Sequence, residues 1–227
     1  SILFSIVEAH TEDRDEIILN IAEKISERVP VTLIVNCQSG KRKVVQSNSL
    51  NFKKVSFLDK ENKIFYHAVT PKPRLFVIGA VHISQSLVYM AQISGYEVIL
   101  IDPREHFANK KRFPKCKIIN EWPDNALEKF NLNETSHLVT LTHDPKIDDP
   151  ALIKALNCKI GYVGSLGSKR THEKRIDRLK SHGLDKLKLS KIHSPIGLDI
   201  SSKTPEEISI SILAELTQFR RKINEKY

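Results

Sequence analysis

Cysteine is scarce in this sequence, and its scarcity narrows the chemistry that the chain can perform. The three cysteines, Cys37, Cys116 and Cys158, are odd in number and lie far apart. They provide neither the closely spaced pairs of a zinc site nor the framework of a disulfide-stabilised domain, so we expect no metal site. Cys37 falls in a predicted turn, where either a reactive or an incidental thiol fits the pattern.

Long apolar runs and a basic leader are also lacking. No apolar stretch approaches the roughly 18 residues that are needed to span a bilayer. The first eight residues carry no basic leader and are too short for a signal peptide. We therefore expect a cytoplasmic protein with no membrane partner.

Basic residues exceed acidic ones, 36 to 27, which gives the chain of 227 residues a formal net charge of +9. Such a balance suits an anionic ligand, an acidic protein partner or nucleic acid. The sequence contains neither a helix-turn-helix signature nor an aromatic-plus-basic RNA motif, and its cations are scattered. Solvation of a lysine-rich surface explains them better than nucleic acid, which we do not expect as a partner.

Residues 74–105 have the pattern of a strand, a tight turn, a helix and a second strand. Leu75–Ile78 is a continuous apolar run, as expected of a strand that is buried on both faces, and Gly79 ends it. Apolar residues then recur at helical spacing until Gly95, which suits a helix end. Val98–Ile101 forms a second apolar run, so the segment is predicted to be a βαβ unit.

The helix of this unit would direct its unpaired N–H groups toward the turn that follows the first strand. Such a helix start, near His82, suits a phosphate above Gly79. Asp102, at the end of the second strand, has the position of the carboxylate that holds a ribose hydroxyl in dinucleotide-binding folds. Val81 stands where the dinucleotide fingerprint has its second glycine, and its side chain limits close approach of a pyrophosphate. Two interpretations remain open, a bound NAD(P) and a structural turn beside an empty crevice.

The remaining patterns predict an α/β fold with two domains. Residues 1–70 read as a small α+β domain with a mainly antiparallel sheet, built from the helix Asp13–Arg28 and short strands that include residues 1–8. Thr70–Pro73 forms a stiff boundary, after which strands and helices alternate. That alternation predicts a Rossmann-like, mainly parallel sheet with helices on both faces in residues 71–227. Further predicted elements are the strands Phe52–Leu58, Lys115–Asn120, Ser136–Leu141 and Lys159–Val163, and helices that begin at Asp124, Pro150, Thr171 and Pro205.

Four polar segments fall at predicted strand ends: Gly79–His82, Asp102–Arg104, Thr140–Asp144 and Gly164–Arg170. Ligands of parallel sheets bind beyond the carboxyl ends of the strands, so we expect the four segments to line one crevice. Gly164–Arg170 combines glycines, serines and two cations before a helix, which fits an anion site and a flexible loop equally well.

The segment Thr140–Asp144 sets an imidazole beside a carboxylate. Such a pair suggests acid–base work, but adjacent residues on an extended chain point to opposite faces, so a polar rim fits as well. The sequence has no Ser-His-Asp order and no HExxH motif. We therefore predict no catalytic residue.

These motifs together resemble the XdhC/CoxI family of xanthine dehydrogenase and carbon monoxide dehydrogenase accessory proteins. The resemblance covers residues 71 to about 220, in order. Residues 1–62 lack the Gly-Ser-x-Pro-Arg and Gly-Cys-Val-Glu segments that many members carry. The matching motifs are Gly79–His82, Asp102–Arg104, Thr140–Pro145 with Asp148-Asp149, Gly161–Ser168, Pro195–Ile200 and Thr204–Ile208.

The resemblance implies a cytoplasmic maturation factor rather than an enzyme. Such factors bind molybdenum cofactor, keep it available for sulfuration by a cysteine desulfurase, and deliver it to a molybdenum hydroxylase apoenzyme. We also expect a homodimer. An NAD(P)-dependent oxidoreductase and a nucleotide-sensing regulatory module are the alternatives. The candidate cofactor-binding residues are Gly79, Ala80, Val81, His82, Asp102, Arg104, Thr142, His143, Asp144, Gly164, Ser165, Gly167, Ser168, Lys169 and Arg170.

Overall fold

The computed structural model describes residues 14–47 and 56–225, with side chains described through Arg221. It divides the chain into two compact units, of which the larger is Lys72–Arg220.

The described part of the smaller unit, residues 14–47 and 56–71, contains one helix and a four-stranded antiparallel sheet, in agreement with the predicted α+β pattern. In the sheet, strand order is β2-β1-β4-β3, with every neighbouring pair antiparallel. The central strand β1 buries alternate apolar side chains, as a half-buried strand should. The predicted strand at residues 1–8 and the first part of the predicted strand Phe52–Leu58 lie outside the described residues. The elements are α1 (Arg14–Ser26), β1 (Val31–Asn36), β2 (Arg42–Gln46), β3 (Phe57–Asp59) and β4 (Ile64–Val69).

The larger unit is built on a sheet of six parallel strands, and this confirms the predicted Rossmann-like fold. The strand order is β10-β9-β8-β5-β6-β7, so the chain moves outward from β5 to one edge, returns to β8 and moves to the other edge. The order reverses between β5 and β8, where ligands of such sheets bind. The strands are β5 (Arg74–Ile78), β6 (Glu97–Ile101), β7 (Lys117–Ile119), β8 (Ser136–Thr140), β9 (Tyr162–Ser165) and β10 (Ile192–His193).

Helices cover both faces of this sheet. Successive residues of a strand point to opposite faces, so a strand of continuous apolar residues makes both faces apolar. Leu75 and Val77 of β5 belong to one core cluster, together with Leu87 of α2 and Leu216 of α7. Phe76 and Ile78 belong to the other cluster, with buried residues of α3, α4, α5 and α6. The helices are α2 (His82–Ile93), α3 (Pro123–Glu128), α4 (Pro145–Leu156), α5 (Lys169–Ser181), α6 (Lys186–Leu189) and α7 (Pro205–Glu225).

Two helix starts were predicted too late in the sequence. Helix α5 begins at Lys169 rather than Thr171, and the larger error is at α4. Helix α4 begins at Pro145, not at Pro150, which lies inside it. Either proline suits a first helical position, since the missing N–H would be unpaired there. The structure uses Pro145 because the carboxylate of Asp144 accepts a hydrogen bond from the Lys146 N–H at 2.9 Å and caps the helix.

Strands β9 and β10 also differ from the prediction. Strand β9 ends at Ser165 rather than Val163, because Gly164 and Ser165 are strand residues and not loop residues. Strand β10 has only two residues, too few to produce a detectable apolar period, and it pairs in parallel with β9.

Candidate functional site

The ends of the four central strands lie side by side. Ile78 of β5 is in register with Ile101 of β6 on one side and with Thr140 of β8 on the other, and Thr140 is in register with Ser165 of β9. The four polar segments that follow or end these strands are therefore brought to the same edge of the sheet.

The turn between β5 and α2 passes close to the end of β8. Gly79 has φ +102°, and a Cβ at this position would lie 2.3 Å from Cγ2 of Thr142. Val81 is the N-cap residue of α2 and provides no side-chain hydrogen bond to the helix, while the hydroxyl of Ser84 donates to the Gly79 carbonyl at 2.5 Å. The side chain of His82 is exposed at the helix start. Gly79 is thus required by close packing, and the N–H groups at the start of α2 lack a side-chain cap.

Asp102 is fully buried, and both of its carboxylate oxygens already accept hydrogen bonds. One oxygen accepts from the Ala80 N–H at 2.8 Å and from Nη2 of Arg104 at 2.7 Å. The other accepts from Nε of Arg104 at 2.8 Å and from its backbone N–H at 3.0 Å. Burial opposes ionisation, but the bonds from Arg104 and Ala80 outweigh it and hold the pKa of Asp102 below its usual value. Asp102 therefore fastens the first turn to the end of β6.

Arg112 fastens the same turn from the other side. Its Nη1 donates to the Ala80 carbonyl at 2.6 Å, and its Nη2 donates to Oε1 of Gln85 at 3.1 Å. The centroid of the Phe107 ring lies 4.8 Å from Cζ of Arg104 and 6.0 Å from Cζ of Arg112. Arg112 was not among the predicted site residues, because it lies 32 positions after Ala80 and belongs to no recognisable motif.

The segment after β8 is held by Asp148. The hydroxyl of Thr142 donates to Oδ1 of Asp148 at 2.7 Å, and the His143 N–H donates to Oδ2 at 3.1 Å. His143 has φ +62°, in the left-handed region, and its side chain is exposed. Asp144 is the cap of α4 and its N–H donates to the hydroxyl of Thr142 at 3.0 Å. The side chain of Asp144 thus has a structural role in the loop.

The carboxylate of Asp148 is only 2% exposed. Burial raises its pKa to about 6, although the hydrogen bonds from Thr142 and the positive charge of Arg175 act in the opposite direction. The same neighbourhood affects His143, whose pKa is lowered by burial and by Arg175. The loop after β8 and the first turn of α4 therefore bring together an imidazole with a lowered pKa and a carboxyl group with a raised pKa.

The glycine-containing segment that ends β9 and leads into α5 mainly supports the packing of the fold. Gly164 is buried in β9, where a Cβ would lie 2.4 Å from Cδ1 of Ile196, and the Ser165 hydroxyl lies 2.6 Å from that of Thr140. Ser168 is the N-cap of α5 and accepts a hydrogen bond from the Thr171 N–H at 3.2 Å.

The end of the same segment, from Gly167 to Arg170, leads into α5 and has exposed cations. Gly167 has φ +139°, so it makes the bend into α5. The next cations, Lys169 and Arg170, are both exposed at the start of the helix.

A cavity of about 410 Å³ lies between the beginning of α4 and the first turns of α5, and we call it the α4–α5 cavity. Of the predicted site residues, His143 and Arg170 line it, whereas Lys169 does not. Arg170, Lys174 and Arg178 repeat every four residues, a spacing that sets them on one face of α5. This spacing is the signal by which the sequence could have revealed the site. The lining residues are His143, Pro145, Asp148, Arg170, Thr171, Lys174, Arg175 and Arg178.

The cations of this cavity differ in how well they are paired. Arg178 forms a two-pronged ion pair with Asp149, with N–O distances of 2.6 and 3.1 Å. Arg175 is 2% exposed and donates to the Leu166 carbonyl at 2.8 Å and to the Ser194 hydroxyl at 3.4 Å. Within residues 14–47 and 56–225, the Nε of Arg175 has no hydrogen-bond partner.

Arg170 and Lys174 complete the cationic wall. Neither forms an ion pair with a carboxylate in the described part of the chain. Among the same residues, Arg175 is likewise bonded to neutral oxygens only. The α4–α5 cavity thus has donors and positive charge that the described part of the protein does not satisfy.

The last polar motif, Pro195–Ile200, has a structural role at the end of β10. The Gly197 N–H donates to one carboxylate oxygen of Glu215 in α7, and Nδ1 of His193 lies 2.7 Å from the other. These bonds outweigh the effect of burial and lower the pKa of Glu215. The motif joins α7 to the edge of the sheet.

Among the residues that the structure describes, no group of three His, Cys, Asp or Glu side chains could hold a metal ion. The helices described are all too short or too polar to cross a bilayer.

Comparison with known proteins adds a family and a fold. The XdhC Rossmann domain family matches residues 75–216, which is more than half of the chain. A probable xanthine dehydrogenase subunit of Bacillus subtilis (strain 168) is 31% identical over 166 residues, covering 73% of this chain and 48% of that protein. The "Molybdenum cofactor insertion chaperone PaoD" of Escherichia coli (strain K12) is 25% identical over 150 residues, covering 66% and 41%.

A solved structure shares the fold. The crystal structure of a xanthine dehydrogenase from Bacillus halodurans matches with a TM-score of 0.75 at 24% identity, covering 94% of this chain and 69% of that one. The chain spans less than half the length of the curated relatives that it matches.

Proposed function

The chain belongs to the XdhC family, and on that premise we propose that it binds molybdenum cofactor and delivers it to a molybdenum hydroxylase of the xanthine dehydrogenase type. The names of two relatives support this role, since one refers to xanthine dehydrogenase and the other to a molybdenum cofactor insertion chaperone. When bound, the cofactor supplies the molybdenum chemistry to the client enzyme, so this chain needs only to hold and release it.

The observation that carries the proposal is the unsatisfied charge of the α4–α5 cavity. Arg170, Lys174 and Arg175 face a space of about 410 Å³, within the range of small-molecule sites. The pterin cofactor has a phosphate, and charge-assisted hydrogen bonds from such cations would hold it. The residues present therefore fit the anionic part of the cofactor. We assign to these three cations the binding and orientation of the cofactor. The loop that contains His143 forms the adjoining wall of the cavity.

The second candidate is an NAD(P)-dependent oxidoreductase, which the uncapped start of α2 favours. Two observations weigh against it. The carboxylate of Asp102 is occupied by Ala80 and Arg104, and so it has no free oxygen for a ribose hydroxyl. Val81 also remains where a close backbone approach to pyrophosphate would be needed. A nucleotide-sensing module without catalytic activity meets the same difficulty at Asp102, whose carboxylate has no free oxygen for a ribose hydroxyl.

Several further parts of the role are proposals as well. We propose that a cysteine desulfurase sulfurates the cofactor while this protein holds it, that the protein acts as a homodimer in the cytoplasm, and that residues 1–70 and 71–227 act as separate domains. Docking to an acidic client would be assisted by the net charge of +9, and that assistance should weaken as salt is added.

The decisive experiment mixes the purified protein with molybdenum cofactor and an apo-hydroxylase, and follows the recovery of hydroxylase activity. We expect faster and more complete recovery than with cofactor alone. Failure to bind the cofactor or to speed recovery, together with reduction of NAD(P) on some metabolite, would support the oxidoreductase instead.

A further inference from the structure

We propose that the α4–α5 cavity is a binding site for a phosphomonoester, and that it prefers a terminal phosphate to the bridging phosphates of a dinucleotide. The inference deepens the proposed function and rests on it, because the terminal phosphate would be that of the pterin cofactor. It also moves the anion site from the glycine segment after β9 to the adjoining face of α5.

The charge of the cavity matches a dianion. Arg178 is neutralised by Asp149, which leaves three cations, Arg170, Lys174 and Arg175, against the one carboxylate of Asp148. The wall therefore has an excess of about two positive charges. A phosphomonoester carries a charge of about −1.5 to −2 at pH 7, because its second pKa is about 6. A phosphodiester linkage carries only one negative charge on each phosphate.

Arg175 gives the site a fixed donor. It is 2% exposed, and its Nη atoms are held by the Leu166 carbonyl and the Ser194 hydroxyl, so the guanidinium is immobilised before any ligand binds. Its buried Nε has no partner among the described residues. A buried donor without a partner is energetically unfavourable, and a ligand that satisfied it would recover that free energy.

The rest of the cavity wall suits a terminal phosphate rather than a phosphate that bridges two parts of a ligand. On one side Asp148 is bonded to Thr142 and to the His143 N–H, so its negative charge is fixed at the wall. A second phosphate extending past that carboxylate would meet a like charge. On the other side the exposed side chains of Arg170 and Lys174 can close over three terminal oxygens. A monoester offers those three oxygens, whereas a bridging phosphate offers two.

The test measures binding of inorganic phosphate, AMP and NAD to the full-length protein by isothermal titration calorimetry at constant ionic strength. AMP and NAD share an adenosine and differ in having a terminal or a bridging phosphate. We expect phosphate and AMP to compete for one site, and NAD to bind at least tenfold more weakly than AMP. Equal binding of NAD and AMP would overturn the preference.

Two double variants locate the site. Arg170→Ala with Lys174→Ala removes two exposed cations from the cavity, and should weaken AMP binding by at least tenfold. Lys180→Ala with Lys186→Ala removes the same charge from exposed positions of α5 and α6 outside the cavity, and should change binding by less than twofold. Equal losses in the two double variants would show that general charge, and not the cavity, is responsible.

Arg175→Lys provides the more specific test, provided that circular dichroism shows a folded protein. It keeps the positive charge but removes the fork and the Nε donor, so AMP affinity should fall. Unchanged affinity in a folded Arg175→Lys protein would contradict the role assigned to Nε.

Delivery assays separate this inference from the proposed function. If phosphate binds in the cavity but the protein neither binds nor delivers molybdenum cofactor, the proposed function fails and the phosphate site stands. If the Arg170→Ala, Lys174→Ala protein delivers the cofactor as well as the unaltered protein does, the cavity is not the site of the cofactor's phosphate, and the proposed function stands.

Discussion

The first βα turn and the α4–α5 cavity lie at the same edge of one sheet, yet they differ in how far their polar groups are satisfied. At the turn, Asp102 accepts hydrogen bonds from Arg104 and from the Ala80 N–H, and Arg112 donates to the Ala80 carbonyl. In the cavity, among the described residues, Arg170 and Lys174 lack paired carboxylates and Arg175 retains an unpartnered Nε. The turn matches the better-known motif, but the cavity has the free donors.

This difference shows that residue type and position are insufficient to assign a ligand-binding role. A carboxylate at the end of the second strand of a Rossmann-like fold can hold a ribose only if its oxygens are available. In this protein the same carboxylate completes a buried network, which makes it a determinant of stability. The following predictions test this distinction.

The largest effect is expected for Asp102→Ala. The change leaves the Ala80 N–H and the guanidinium of Arg104 without their partner, and removing one member of a buried pair typically costs about 3–5 kcal/mol. We expect a loss near the lower end of that range, since Arg104 is partly exposed. Urea denaturation followed by circular dichroism measures it.

Asp177→Ala is the matched control, because its carboxylate is 79% exposed and its distance from Lys180 is 3.7 Å. It should cost less than about 0.5 kcal/mol, as surface pairs do. If Asp102→Ala unfolds no more easily than this control, but binds NAD(P) more weakly than the unaltered protein, then Asp102 is a ligand-binding residue after all.

The next effect is a pH-dependent loss of stability that Asp148→Asn should remove. The pKa of Asp148 is about 6 in the folded protein, against 3.8 for an ordinary aspartate. Between these values the folded state binds more protons than the unfolded state. The contribution of Asp148 to stability is therefore greatest below about pH 4 and falls as pH rises to about 6, by on the order of 3 kcal/mol.

The measurement is the free energy of unfolding of both proteins from pH 4 to pH 7. At pH 4 the protonated carboxyl group of Asp148 and the amide of asparagine are both neutral and each offers one carbonyl acceptor, so the two proteins should differ little in stability. As pH rises to 7, the unaltered protein should lose stability relative to the variant. A constant difference between the two curves would mean that Asp148 does not titrate in this range.

A smaller effect tests the packing of the first turn. Gly79→Ala adds a Cβ 2.3 Å from Cγ2 of Thr142 at φ +102°, whereas Gly95→Ala adds one at φ +88° with no atom within 4 Å. Both changes strain the backbone by about 1–2 kcal/mol, but only the first causes a collision. We expect Gly79→Ala to cost about 1–3 kcal/mol more than Gly95→Ala in urea denaturation.

A Thr142→Ser background checks the cause. Serine lacks Cγ2, so most of the excess cost of Gly79→Ala should disappear, while the cost of Gly95→Ala should be unchanged. An excess that persists in the Thr142→Ser background would place the strain elsewhere in the turn.

The sequence predicted the sheet better than the site, for physical reasons. Apolar runs such as Leu75–Ile78 follow directly from burial on both faces, so the strands and their alternation with helices could be recognised. The start of α4 could not, because Pro145 and Pro150 both suit a first helical position and the choice depends on the cap from Asp144. The two residues of β10 become a strand only by pairing with β9.

The predicted site residues and the residues that line the α4–α5 cavity overlap only in part. His143 and Arg170 were recognised from their positions beside strand ends, and both line the α4–α5 cavity. Lys174 and Arg175 were missed because the predicted anion site ended at the helix start, although the helical spacing from Arg170 indicated a common face. The carboxylate of Asp102 is already bonded to Ala80 and Arg104. Those bonds depend on side-chain geometry, which residue spacing in the sequence does not reveal.

The smallest predicted effect is a change in the titration of His143 when the cavity is filled. Its pKa is lowered by burial and by the positive charge of Arg175. A bound phosphate adds negative charge beside the ring and stabilises the imidazolium, so the pKa should rise. Proton NMR of the ring, assigned with a His143→Gln variant and recorded from pH 4.5 to 8 with and without saturating phosphate, measures the rise. The same titration in the Arg170→Ala, Lys174→Ala protein should show little change on adding phosphate, because the anion no longer binds. A pKa that stays constant while calorimetry reports phosphate bound to the unaltered protein would place the anion away from His143, and would leave the α4–α5 cavity no different from the already satisfied first turn.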